Sequence, residues 1–123
     1  MVNIGEDLEL DMPLTNNISI IEHFLHVVQN DEFVEGHEVL EDLWKEWKNQ
    51  ESLREESFIL KGLINGSTAL ALKIMGRDEP ANRVWATFLK YSSLIDEIQS
   101  VYTPKYIEAR NLLYKKNLQY KVN

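Results

Sequence analysis

SLREESFILKGLINGSTALALKIMG, residues 52–76, carries apolar side chains at nearly every angle around a helix: Leu53, Phe58, Ile59, Leu60, Leu63, Ile64, Leu70, Leu72, Ile74 and Met75. A helix without a polar face is buried on most sides. This segment, helical over about 53–75, is therefore expected to be the centre around which the rest of the chain is wrapped. Gly62, Gly66 and Ala69 form a strip of small residues along it. An interior glycine costs a helix about 1 kcal/mol against alanine, and a neighbouring helix backbone packing close accounts for two of them. Ser52 and Glu55 have the spacing of a capping box, and Gly76 is the expected C-terminal stop.

Amphipathic stretches flank this centre. A first helix is expected over about 17–29, entered through Pro13 and Thr15-Asn16-Asn17, with Ile20, Ile21, Phe24, Leu25 and Val28 turned inward. Asn30-Asp31 should end it and cap the next helix. A fourth helix starts near Pro80 and carries Ala81, Val84, Trp85, Phe88, Ile95 and Ile98 to about 99. Thr103-Pro104 starts a fifth over about 104–118, weakly amphipathic and expected at the periphery, with Tyr106, Ile107, Leu113 and Tyr114 as its apolar contacts. No run alternates with period two for long enough to be a strand. The fold class is all-α: a compact bundle of about five helices around an apolar central one. Residues 13–123 read as a single domain, preceded by an acidic N-terminal tail over 1–12 in which Ile4, Leu8 and Leu10 dock loosely.

The second helix, about 32–49, carries the chemistry. Phe33, His37, Leu40, Trp44 and Trp47 follow one another at steps of four, three, four and three, a single stripe on a helix. Leu43 and Gly36 widen one edge of the stripe and Glu41 lies at the other. The segment FVEGHEVLEDLW, residues 33–44, resembles the signature of the domain of unknown function 309 family: an aromatic, then Glu, Ala, His, Glu, any residue, Leu, Glu, two of any, Trp. Lys61-Gly62-Leu63-Ile64 resembles that family's second signature, with Asn65 where glutamine is usual; Gly36 likewise replaces the usual alanine. The likeness covers about residues 22–98. It implies a compact helical bundle around a central helix and no established activity.

His37, near the middle of the stripe, is expected to be buried, and a buried imidazole must find hydrogen-bond partners. Glu41 lies one turn away at i+4; Trp44 and Asn65 complete the cluster if the second and third helices are neighbours, with Glu38 beside them. As a structural device, the His37–Glu41 pair fixes how those helices pack. As a metal site, the same two residues are an i,i+4 ligand pair that needs further ligands, while His23 and His26 sit with Glu22 on a solvated face. The segment His37-Glu38-Val39-Leu40-Glu41 is similar to the zincin motif, but that motif's second histidine is absent, so a zinc protease is rejected. As an acid–base pair, a carboxylate beside the imidazole would tune its pKa toward neutrality. Trp44, Trp47 and Trp85 read as core.

Net charge is −7 and there is no cysteine, which rules out disulfides, thiolate metal sites and thiol nucleophiles and fits a reducing, cytoplasmic setting. No stretch is apolar for long enough to span a membrane, and the acidic balance disfavours nucleic acid as a partner. Residues 1–56 hold 15 acidic side chains against 3 basic ones, whereas residues 57–123 hold 5 against 10. Two oppositely charged surfaces that attract within one fold or between copies follow from that split. A basic patch (Lys105, Arg110, Lys115, Lys116 and Lys121) that meets an acidic protein partner is the other reading. The sequence requires no cofactor. It points to a small helical binding or interaction module of unknown ligand, with a metal- or small-ligand-dependent enzyme built on His37 and Glu41 as the alternative.

Overall fold

The computed structural model describes the backbone of residues 4–123 and the side chains of residues 14–123. Five α-helices follow in order: α1 (Ile4–Gln29), α2 (Phe33–Trp47), α3 (Arg54–Ile74), α4 (Asp78–Ser92) and α5 (Thr103–Tyr120). Two short 3-10 turns, Glu51–Leu53 and Ser93–Asp96, join α2 to α3 and extend α4. The described residues contain no strand. The central role of α3 is as expected: it packs against α2, α4 and α5, while α1 closes over α2 and α5.

The small-residue strip is where neighbours come close. A Cβ on Gly62 would sit 2.9 Å from the Tyr91 Cβ of α4, and one on Gly66 would sit 2.8 Å from a methyl of Leu113 on α5 and 3.1 Å from the Phe88 ring. Around these contacts Leu60, Leu63, Leu70, Phe88 and Leu113 are fully enclosed. Gly76, at φ 78°, ends α3; its N–H bonds to the Lys73 carbonyl at 2.9 Å and that of Arg77 to Leu72 at 2.9 Å, the paired bonds that close a helix C-terminus. Asp31 does the same for α1 at φ 61°.

Several expectations need correction. The capping box does not form: Leu53 stands at the N-cap position of α3 with no side-chain bond to it, because Ser52 is taken up in the 3-10 turn. Nor does Asp31 cap α2, since its left-handed backbone closes the preceding helix instead and leaves Glu32 at the N-cap. Helix α1 begins at Ile4, not near 17, and Asn17 spends its amide on Tyr102 Oη at 2.9 Å rather than on a helix end. The acidic tail over 1–12 and the docking of Ile4, Leu8 and Leu10 lie outside the described side chains. Helix α4 stops at Ser92, where the hydroxyls of Ser92 and Ser93 donate back to the carbonyls of Leu89 and Lys90, a competition that weakens helical bonding.

Helix α5 is not peripheral. Tyr106, Ala109 and Leu113 are fully buried, and the Tyr106 hydroxyl donates to Glu56 at 2.8 Å. Burial, with the Glu56 bond next in size, pushes the Tyr106 phenol far above its ordinary range. Tyr114 is a contact as expected, its ring edge-on to those of Phe88 at 5.6 Å and Trp85 at 6.3 Å, although the residue stays 40% exposed; Ile107 stands on the exposed side.

A candidate ligand cleft between the second and third helices

On α2 the buried positions are Phe33, Gly36, Leu40, Leu43 and Trp47. The stripe expected through His37 and Trp44 is therefore rotated by roughly 40°, less than one residue's step of about 100°. Gly36 is the reason. With no side chain there, α3 approaches at position 67, and the Ser67 hydroxyl reaches across to donate to the Phe33 carbonyl at 2.7 Å. The α2 surface that meets α3 is accordingly centred on the glycine side, and His37, Glu41 and Trp44 are left along its edge. The burial expected of His37 is thus corrected: its side chain is 41% exposed and that of Glu41 35%. Trp47 and Trp85 are core residues as expected, whereas Trp44 is half-buried.

These edge residues face an outward strip of α3. Although that helix is apolar on most sides, Phe58, Lys61, Asn65, Thr68 and Leu72 recur at steps of three and four and none of them is buried. Between the two helices lies an open cleft of about 210 Å³, lined by His37, Glu41 and Trp44 from α2 and Lys61, Ile64, Asn65 and Thr68 from α3. Four of the five residues singled out in the sequence therefore converge on one hollow; Glu38 is exposed and does not line it. Lys61 and Thr68 were missed. Their spacing from Asn65 was the available signal, obscured by the apolar residues that surround it in sequence.

Polar groups in the cleft are incompletely matched. His37 Nδ1 and Glu41 Oε2 are 4.0 Å apart, beyond hydrogen-bond reach, and Lys45 approaches the other Glu41 oxygen at 3.5 Å. Asn65 Nδ2 donates to the Lys61 carbonyl at 2.7 Å and Thr68 to that of Ile64 at 2.9 Å. Lys61 makes no ion pair among the described residues. Its ammonium lies 5.7 Å from the centre of the Trp44 ring and 5.8 Å from that of Tyr91, while Lys48 stands 4.5 Å over Trp44. An ammonium at such distances is attracted to the ring face.

For a metal, His37 and Glu41 offer two ligands, and no group of three or more His, Cys, Asp or Glu among the described residues could hold an ion. His26 lies on α1 near Asn30, with its Nε2 3.3 Å from the amide nitrogen, and lines a separate hollow with Glu22 and Lys105. No helix among the described residues is long and apolar enough to cross a membrane.

Residues 21–84, just over half of the chain, match the family model described as Domain of unknown function (DUF309). The match holds the whole cleft and stops within α4, so that α5 lies outside it. No curated protein matches the chain and no solved structure does.

Proposed function

The chain belongs to the DUF309 family, and we propose that it is a small helical binding module whose α2–α3 cleft receives a small acidic molecule. One observation carries this reading: His37, Trp44, Lys61 and Asn65 converge from two helices on an open hollow instead of being sealed into the core. A packing device would bring the His37–Glu41 pair into hydrogen-bond contact and exclude water from it. The pair is instead half-exposed and 4.0 Å apart, so it contributes little to how the helices meet. The cleft offers what a carboxylate or phosphate ester needs: the Lys61 ammonium and the His37 ring N–H as donors, and the indole of Trp44 as a flat apolar wall. Glu41, turned toward Lys45, marks the edge from which an anion is repelled. In this reading residues 13–123 act as one unit in the cytoplasm.

Nitrogen–proton correlation spectra of the protein titrated with benzoate, short aliphatic carboxylates and inorganic phosphate test this. Shifts should centre on the Trp44 indole N–H and the Asn65 side-chain amide and should be lost in Lys61→Ala. If every probe leaves those resonances in place, the cleft is not an anion site.

An acid–base or metal-dependent enzyme built on His37 and Glu41 is the second reading, favoured by the fact that the cleft opens onto His37. It predicts that one divalent metal raises the melting temperature of chelator-stripped protein, and that His37→Ala and Glu41→Gln each abolish the rise. A ligand held at a hundred times its Kd adds about 2.7 kcal/mol, an easily measured shift. Absence of a shift with any metal removes the metal form of this reading.

A further inference from the structure

The cleft at His37 is one end of a longer groove. Beyond it, along α2 and α3, lie a hollow of about 130 Å³ that includes Val34, His37 and Met75 and another of about 240 Å³ that includes Glu32, Val34 and Ile74. Neighbouring hollows share wall residues (Val34 and Met75, then His37 and Thr68), so the three form one channel. Val34, Ile74 and Met75 are all exposed in it. Apolar side chains gathered along an open channel mark a contact surface more often than scattered ones do. One rim is acidic: Glu32, at the N-cap of α2, and Glu35 line it, stand exposed and make no ion pair among the described residues. Glu35 is crowded: a hydrogen bond shared with Glu32, and then the charge of Glu32, hold its carboxyl above the ordinary range.

A surface of the opposite character lies on α5. That helix is apolar on two faces, which is why it reads as weakly amphipathic. One face, through Tyr106, Ala109 and Leu113, is buried. On the other, Ile107, Tyr114 and Leu118 share a stripe that reaches the surface: Leu118 is 79% exposed, while Tyr114 rests one side of its ring on Phe88 and Trp85 and leaves the rest open. Lys115 and Lys121 flank the stripe toward its C-terminal end, and Glu108, 56% exposed and paired with Lys105 at 3.1 Å, stands near its start.

We propose that a second copy of this chain fills the groove, laying the Ile107–Tyr114–Leu118 stripe of its α5 between α2 and α3. The lengths agree. Ile107 to Leu118 spans about 17 Å of helix and Val34 to Trp44 about 15 Å, at about 1.5 Å per residue. The charges agree as well and set a direction. Lys115 and Lys121 meet Glu32 and Glu35 at the Val34 end, while Glu108 falls toward Lys61 at the cleft end. The incoming α5 therefore runs antiparallel to α2. This contact follows the helix-in-groove pattern, with apolar anchors at i, i+7 and i+11. It does not depend on the small-molecule reading of the cleft.

Sedimentation velocity from low micromolar to near-millimolar protein tests it, with Leu118→Asp and Val34→Asp as variants; both side chains are exposed, and circular dichroism checks that each variant folds as wild type does. Wild type should associate with rising concentration and less so in added salt. Each variant alone should lose about tenfold or more in association constant. The two variants mixed should regain a one-to-one complex, because one keeps the groove and the other keeps the stripe. A wild type that stays monomeric throughout, an association that either variant leaves unchanged, or a mixture that stays monomeric overturns the proposal.

Discussion

A methyl group at position 36 would collide with the Ser67 hydroxyl, and that hydroxyl is already committed to the Phe33 carbonyl. Glycine to alanine inside a helix ordinarily gains about 1 kcal/mol. Here the overlap, of the kind that costs about 1–3 kcal/mol in a packed interior, outweighs the gain. Gly36→Ala should therefore destabilise the protein, and should do so less, or not at all, in a Ser67→Ala background. Urea denaturation of the four proteins would give the coupling between the sites. Equal costs of Gly36→Ala in both backgrounds would refute it. The sequence shows glycine where its family's signature has alanine, but not the serine it accommodates, since that requires knowing which α3 residue faces it. The same gap misplaced His37. Spacing by three and four fits the stripe through His37 and Trp44 as well as the one through Gly36 and Leu43, and only the approach of α3 chooses between them.

At the scale of elements, the position of α3 was legible because nothing else in the chain is apolar through so many angles. Its glycines were legible too, and a strong test follows. Gly66→Leu places a branched side chain where a single Cβ already meets Leu113 at 2.8 Å and the Phe88 ring at 3.1 Å, so α4 and α5 must both move. Overpacking of this kind costs about 1–3 kcal/mol or more, and thermal melting should show a large drop. A variant that melts like wild type would mean that these helices do not meet at Gly66. Less legible was α5. Its two apolar faces cancel in any measure of one-sidedness, so a helix with three fully buried residues looked marginal. Capping was misread for a local reason: Ser52 and Glu55 are correctly spaced, but the 3-10 turn puts Leu53 where the serine was expected.

Across the whole molecule, the unequal charge of the two halves is partly neutralised inside the fold. Lys105 stands 3.8 Å from Glu22, and Lys116 reaches Asp31 at 2.7 Å and the Gln29 carbonyl at 2.9 Å. The Lys116 side chain is only 13% exposed, so α5 holds the end of α1 through an ammonium largely withdrawn from water. The hydrogen bond from Lys116, against a smaller opposing effect of desolvation, holds the Asp31 carboxyl below its usual value. A carboxylate depressed in the native state adds stability that is fully present above its unfolded pKa, about 4, and is lost as pH falls through the native one. Lys116→Met should remove this contribution, flattening the acid limb of the stability curve below about pH 4; a limb as steep as that of wild type would exclude Asp31 from it.

The way α3 is surrounded also sets an order of events. Helices α2, α3 and α4 follow one another in sequence, so the contacts between them close short loops, whereas the contact from Lys116 to Gln29 joins residues 87 apart. Local contacts form at little entropic cost and distant ones late. The three-helix centre is thus expected to be built in the folding transition state, with α1 and α5 joined after the barrier. Stopped-flow measurements would then find that Lys116→Met speeds unfolding and leaves the folding rate nearly unchanged, while Gly62→Leu, whose nearest neighbours are Tyr91 and Ser92 of α4, slows folding. The contact between the first and last helices would in that case govern how long the folded molecule lasts rather than how quickly it forms.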